Sequence, residues 1–254
     1  MSSLHDLDPH KELSLVPGFA ELTPDALTEL ALHAVQRRVP VRELVVEQGQ
    51  VAPGLVFLVR GAIKSARTTA TSEGRETRVL DVLRAPAMVP DTSAFDGLPA
   101  EASVVAIRAC HVFVVERRVL QKLLGLHPTL ERVILARFLR ECRSQVRRFD
   151  ELASGSVEER IHRLLEALAR DHGTPLGHGR FIPLPLRRSD LASMVNATTE
   201  TVSRLLAKLE REGRARSTRD GIWWRGHSKR GAAAVEVEKE RGSTPPPHAK
   251  AVDS

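Results

Sequence analysis

The sequence predicts an α+β chain in three parts: an all-β half, one long helix, and a C-terminal helical unit that carries a helix-turn-helix. Three observations carry this reading. Short β-branched runs broken by turn residues fill Val39 to Glu116, and regular spacing of short strands implies a sandwich, roll or barrel. A helical period then runs from Pro128 to Leu152. Last, Leu186 to Gly213 holds two amphipathic patterns on either side of an asparagine suited to a tight turn.

The chain has 254 residues, enough for one or two domains, and its 42% hydrophobic and 28% charged residues can build a core. Apolar runs such as Gly54 to Val59 and Val104 to Ile107 fall far short of the ~20 residues that cross a bilayer. Met1 to His10 has neither the basic region nor the apolar region of a secretion signal. Two cysteines, Cys110 and Cys142, cannot make a disulfide scaffold or a four-cysteine metal site. A cytoplasmic protein with no membrane partner is therefore expected. The formal charge is +6. It is concentrated between Arg187 and Arg219, where eight Arg and Lys face four acids, the kind of local excess that binds nucleic acid.

Element by element, residues 1–20 read as an N-terminal extension. Thr23-Pro24 starts a helix, with a hydroxyl cap and proline in the first helical position, and Leu22, Ala26, Leu27, Leu30, Ala31 and Ala34 keep helical spacing between Glu21 and Arg37. Strands follow at Glu43 to Glu47, Leu55 to Val59, Ala62 to Arg67, Arg78 to Leu83, Ser103 to Ile107 and His111 to Val115. Turn signals separate them at Gln48-Gly49-Gln50, Arg60-Gly61, Ser72-Glu73-Gly74 and Phe95-Asp96-Gly97-Leu98-Pro99. The helix from Pro128 to Leu152 would be about 37 Å long at 1.5 Å per residue. Its narrow stripe of Leu130, Ile134, Phe138, Glu141 and Gln145 predicts a coiled-coil-like dimer seam; the alternative is a partly exposed helix packed on the β half of its own chain.

Ser154-Gly155-Ser156 reads as a hinge. Val157 to Asp171 is a second amphipathic helix with Ile161, Leu164, Leu165 and Leu168 on one face. His172 to Arg180 is a Gly-rich loop, and Phe181 to Leu186 is extended because each proline pushes its predecessor toward β geometry. After Gly226 the composition turns polar, with Pro245-Pro246-Pro247, and predicts a disordered tail. The expected units are 1–20, 21–127, 128–153, 154–226 and 227–254.

Within Leu186 to Gly213, Ser189 is a suitable N-cap for a helix that buries Leu191, Ala192 and Val195. Thr198 can cap a second helix in which Val202, Leu205, Leu206 and Leu209 follow i, i+3, i+4, i+7 and face inward. Thr199, Glu200, Ser203, Arg204, Ala207, Lys208 and Arg211 then project outward. Arginine donates to guanine O6 and N7 and glutamate accepts from cytosine N4, so this face suits a major groove. A two-helix hairpin with a solvated charged face would show the same pattern.

The stretches Ile182-Pro183-Leu184-Pro185-Leu186, Asp190-Leu191-Ala192, Glu200-Thr201-Val202-Ser203-Arg204-Leu205-Leu206 and Leu209-Glu210-Arg211-Glu212-Gly213 resemble the winged-helix domain of the Crp/Fnr family. Arg216 to Arg225, with Gly221-Ile222-Trp223-Trp224, would be the wing. The resemblance extends over about residues 20 to 225 and implies a cyclic-nucleotide-binding-like β-roll, a dimerisation helix and a C-terminal winged helix-turn-helix. It implies double-stranded DNA, a second copy of the chain and RNA polymerase as partners. By position, base reading falls on Glu200, Ser203 and Arg204. Phosphate contacts fall on Arg188, Ser189, Thr198, Thr199, Thr201, Lys208 and Arg216. Thr199 and Ser203 follow the Fnr-like branch, which implies a half-site like TTGAT.

Relatives that bind cyclic nucleotide carry a Gly-Glu pair and an Arg-Ser or Arg-Thr pair, because a buried phosphate needs an arginine and N–H donors. Ala85 to Asp91 and Pro99 to Ser103 contain neither, and Glu101 would repel a phosphate. Cyclic AMP is therefore not expected. An iron-sulfur cluster is not expected either, for want of N-terminal cysteines. His33, His111 and His127 are the candidates for a haem ligand, Cys110 and Cys142 for a dithiol switch, and the signal sensed stays unnamed. No GxSxG, HExxH or phosphate-loop motif suggests an enzyme. The competing class is a cyclic-nucleotide-binding-like module that acts through protein contacts, which would not require the outward Glu200, Ser203 and Arg204.

Overall fold

The computed structural model describes residues 7–226 apart from Glu73; expectations for 1–6 and for the tail 227–254 lie outside the described residues. The chain starts with α1 (Pro9–Ser14), capped by the Asp8 carboxylate, which accepts from His10 N at 3.0 Å. In α2 (Pro24–Leu32), Thr23 accepts from Ala26 N at 3.4 Å and Pro24 occupies the first turn, as expected. The helical pattern read as far as Arg37 stops at Leu32, and Ala34–Val39 is strand β1. The stretch read as an extension belongs to the core. Leu13, Val16 and Phe19 are buried with Phe57 and Phe113, and Phe19 meets Phe57 edge to face at 5.4 Å. The reason is that one sheet is apolar on both faces, and the N-terminal segment covers the outer one.

The roll continues with β2 (Leu44–Val46), β3 (Gly54–Arg60), β4 (Ala62–Thr71), β5 (Gly74–Arg84), β6 (Ala87–Met88), α3 (Ser93–Asp96), β7 (Ser103–Ala106) and β8 (Cys110–Glu116). Two antiparallel sheets face each other, ordered β1-β8-β3-β6 and β2-β7-β4-β5. Val39, Val56, Leu58, Ile63, Val104 and Val112 fill the space between them. The alternate residues Leu55, Phe57, Phe113 and Val115 face the helices instead, so β3 is buried from Gly54 to Val59 and reads as a continuous apolar run.

Helices α4 (Arg117–Leu126) and α5 (Pro128–Ala153) follow. Here one expectation is corrected. Leu130 and Ile134 are buried in the chain's own core, and Phe138 packs on Phe95 at 5.2 Å. Glu141 bonds Arg137 and Arg148, and Gln145 bonds Glu141. Leu130, Ile134 and Phe138, assigned to a partner, instead seat α5 on the roll, whereas Glu141 and Gln145 bond side chains of α5 itself.

The C-terminal unit comprises α6 (Val157–His172), β9 (Thr174–Leu176), β10 (Gly179–Ile182), α7 (Arg188–Met194), α8 (Thr199–Arg211), β11 (Ala215–Thr218) and β12 (Gly221–Trp224). Ser156 and Glu159 cap α6 reciprocally, each bonding the other's backbone N–H. The segment read as a Gly-rich loop is largely the β9–β10 hairpin, and it joins the wing in one sheet ordered β11-β12-β10-β9. This unit does not stand apart from the roll. Ala62, Ala66, Val79 and Val82 of β4 and β5 share one buried cluster with Leu191, Ala192 and Val195.

Candidate nucleic-acid interface

The turn between α7 and α8 is built as its sequence requires. Asn196 takes φ 48°, a left-handed conformation that asparagine tolerates, and Ala197 N donates to Ala192 O at 3.0 Å to close it. Thr198 then caps α8, its hydroxyl accepting from Thr201 N at 3.2 Å. The cap of α7 differs from the expectation. Asp190 Oδ2 accepts from Arg187 N at 2.9 Å, so a carboxylate three residues on does the work assigned to the Ser189 hydroxyl.

Val202, Leu206 and Leu209 are buried against Ile161, Leu165 and Leu191, with Leu205 partly buried beside them. That inward face fixes the outward one. Thr199, Glu200, Arg204, Ala207 and Arg211 are exposed and Ser203 is half-buried. Among the described residues, Glu200 and Arg204 have no ion-pair or hydrogen-bond partner. They lie four residues apart, one above the other on one helix face.

Of the residues read as phosphate contacts, Arg188, Ser189, Thr198, Thr199 and Arg216 are exposed and Thr201 is half-buried. Lys208 is already engaged: its Nζ donates to Glu158 Oε1 of α6 at 2.8 Å, which holds the Glu158 carboxyl below its usual range and the Lys208 ammonium above its own. Behind the wing, Trp224 is buried, donates from Nε1 to Glu166 at 2.8 Å, and lies under the Arg214 guanidinium at 5.5 Å. Gly221, with φ 156°, starts β12 where an added Cβ would overlap the Ile182 carbonyl.

The roll places its acids as follows. Glu101 points out of the roll and pairs with Arg67 at 3.3 Å. The acid at the start of α3 is Asp91, which accepts from Ser93 N at 3.2 Å and from Ser93 Oγ at 2.8 Å. His127 is bonded to Glu29 at 3.0 Å, His111 lies beside Gln36, and His33 ends α2. Cys110 is buried, donates to Ala62 O and Arg108 O, and its thiol is pushed up by burial, whereas Cys142 is exposed on α5. A thiol held protonated in the roll is a poor partner for a redox switch.

Two family models match the chain: a cyclic nucleotide-binding domain over residues 36–127 and a Crp-like helix-turn-helix domain over residues 159–224. The chain belongs to the Crp/Fnr family of transcriptional regulators. The CRP-like cAMP-activated global transcriptional regulator of Mycobacterium tuberculosis is 24% identical over 195 residues, 77% of this chain and 86% of that protein. Among solved structures, FixK2 of Bradyrhizobium japonicum matches with a TM-score of 0.66 at 22% identity, covering 78% of this chain and 96% of that one. The c-di-GMP responsive global regulator CLP of Xanthomonas campestris matches with a TM-score of 0.66 at 20% identity, covering 80% and 100%. These structures share the fold of this Crp/Fnr protein. It is a DNA-binding transcriptional regulator of that family, and no helix among its described residues is long and apolar enough to cross a membrane.

Proposed function

We propose that the protein works as a cytoplasmic homodimer that reads an inverted repeat with Fnr-like TTGAT half-sites and is not controlled by cyclic AMP. The observation that carries this is the exposed Glu200 and Arg204 pair at the start of α8, free of partners among the described residues. Arg204 donates to the guanine of a half-site, Glu200 accepts from the cytosine paired with it, and Ser203 lies between them. Arg188, Ser189, Thr198, Thr199, Thr201 and Arg216 hold the flanking phosphates, with Lys208 available only once Glu158 releases it. RNA polymerase is the expected partner of such a regulator on DNA.

Dimerisation falls to a stripe of α5 other than the one buried on the roll. Leu135, Leu139, Cys142, Val146 and Phe149 are exposed and recur at spacings of 4, 3, 4 and 3, the heptad rhythm of a two-stranded seam. Independence from cyclic AMP rests on Asp91. Its carboxylate already takes the Ser93 donors and would oppose an anion beside them, and no arginine stands in the neighbouring segment from Pro99 to Ser103. The same base-reading assignment has a direct test. Arg204→Ala should weaken binding to a TTGAT inverted repeat by about 1–3 kcal/mol while leaving random duplex nearly unchanged, at fixed salt. Arg216→Ala should weaken both alike. Equal losses on the two duplexes for Arg204→Ala would remove the base-reading role.

A further inference from the structure

We propose that Lys64, a residue of the roll, is a positioning residue for the DNA-reading helix and acts through Asp190. The inference rests on the DNA-reading role assigned to α8. Lys64 Nζ lies 2.5 Å from Asp190 Oδ1, and the two side chains are only 20% and 8% exposed. The other carboxylate oxygen is committed to the cap of α7 through Arg187 N. One carboxylate therefore serves two masters: it starts the first helix of the helix-turn-helix and ties that helix to strand β4.

Further contacts make the tie directional. Val79 N of β5 donates to Ser193 Oγ at 2.8 Å, one turn along α7 from Asp190. On the far side of the unit, Arg108 Nη2 donates to Asp220 O in the wing turn at 2.7 Å. Between these points the small side chains Ala62 and Ala66, with Val79 and Val82, let α7 lie close on the sheet. Because α7 and α8 share the core of Leu191, Ala192, Val195, Val202 and Leu206, an orientation imposed on α7 is imposed on α8. None of these contacts covers Glu200 or Arg204, so the seated unit keeps its reading face open.

Without the Lys64 ammonium, Asp190 would be a buried carboxylate facing the roll with no counter-charge, a strongly unfavourable arrangement. Relief comes from moving α7 away from Lys64, against the apolar contacts it makes with Ala62, Ala66, Val79 and Val82. The seat thereby sets the separation and rotation of the two α8 copies in a dimer. Each base pair added between half-sites turns one of them by about 34° and shifts it by about 3.4 Å, more than a bond at hydrogen-bonding distance can follow. A seated reader is selective for spacing and an unseated one is tolerant.

The test measures binding of the full chain to duplexes carrying two inverted TTGAT half-sites, with the spacer stepped one base pair at a time. Deuterium exchange over β5 and α7 is read in parallel. The wild-type protein should prefer one spacer by about tenfold, the size of one mismatched base pair. Lys64→Met should flatten that preference to about twofold and speed exchange of the Val79 amide, while Lys64→Arg, which keeps the charge, should restore both. Thermal melting identifies a variant that has lost its fold, and Ser193→Ala, which removes the bonds to Val79 N and Thr77 O and no charge, then carries the same two readouts in milder form. A spacer optimum and a Val79 exchange rate unchanged in Lys64→Met would overturn the proposal. If the wild-type protein fails to prefer the repeat over random DNA, the base-reading assignment falls and exchange alone decides the seat: faster in Lys64→Met supports it, unchanged overturns it.

Discussion

The two stripes of α5 make opposite predictions for the same kind of substitution. Leu139 and Val146 are 49% and 63% exposed, whereas Ile134 is 4% exposed and sits in the roll core. Burying the exposed half of such a side chain against a partner is worth about 1 kcal/mol. Replacing Leu139 and Val146 together by Glu removes two such contacts from each protomer, about 4 kcal/mol in all, before the cost of facing carboxylates across the axis. That alone raises a dimer dissociation constant by about a thousandfold. The double variant should sediment as a monomer, keep the wild-type circular dichroism spectrum, and lose its preference for an inverted repeat. Ile134→Glu should instead bury an unpaired charge beside Leu130 and Val133 and destabilise the fold itself by about 3–5 kcal/mol. Sedimentation velocity and thermal melting on both proteins separate the two outcomes. A folded Leu139→Glu/Val146→Glu protein that still sediments as a dimer would refute the assignment of the seam.

Two further outcomes follow from the roll and the interdomain junction. Calorimetry with cyclic AMP at millimolar concentration should give no saturable heat, and micromolar binding would show that Asp91 yields its place to a phosphate. Burial holds His172 below the usual imidazole range, against the opposing pull of Asp171 and Asp81. The unfolded chain therefore takes up a proton first, and stability is lost as pH falls from about 6.5 toward the lower folded value. His172→Gln should show a smaller drop in melting temperature between about pH 7.5 and about pH 5.5. His111, which burial and the charges of Arg38 and Arg60 also hold low, adds to the slope in the same direction.

Local signals in the sequence located local structure well. Thr23-Pro24, Thr198, Asn196 and the inward set Val202, Leu206 and Leu209 each act within one turn of chain, and the structure uses each as the residue chemistry requires. The errors share one cause: a periodic pattern says that a face is buried without saying against what. The stripe of Leu130, Ile134 and Phe138 is regular, and so is the one-residue-offset stripe of Leu135, Leu139, Val146 and Phe149. Sequence alone gives no reason to assign the first to the roll and to leave the second exposed. The N-terminal Leu13, Val16 and Phe19 were equally illegible, since an apolar triplet in a short helix joins a core only when a sheet face waits for it.

The residues that join sensor to reader were the hardest to see, for a related reason. Lys64 and Asp190 are separated by 126 residues, and Ser193 and Val79 by 114. In the sequence Lys64 is an ordinary charge near a strand start, and Asp190 is one acid among the arginines of a basic segment. What distinguishes them is mutual burial, which no spacing rule records. The strand pair β4–β5 also touches three of the helices that follow it: Asp81 bonds Arg148 of α5, Arg84 bonds the His172 carbonyl of α6, and Lys64 and Val79 hold α7. Small shifts of a packed sheet are transmitted rather than absorbed, because interiors are close-packed and bistable more readily than they are soft. A displacement of this pair against the rest of the roll would strain its bonds to α5, α6 and α7 at once, and α7 shares its core with the helix that carries Glu200 and Arg204.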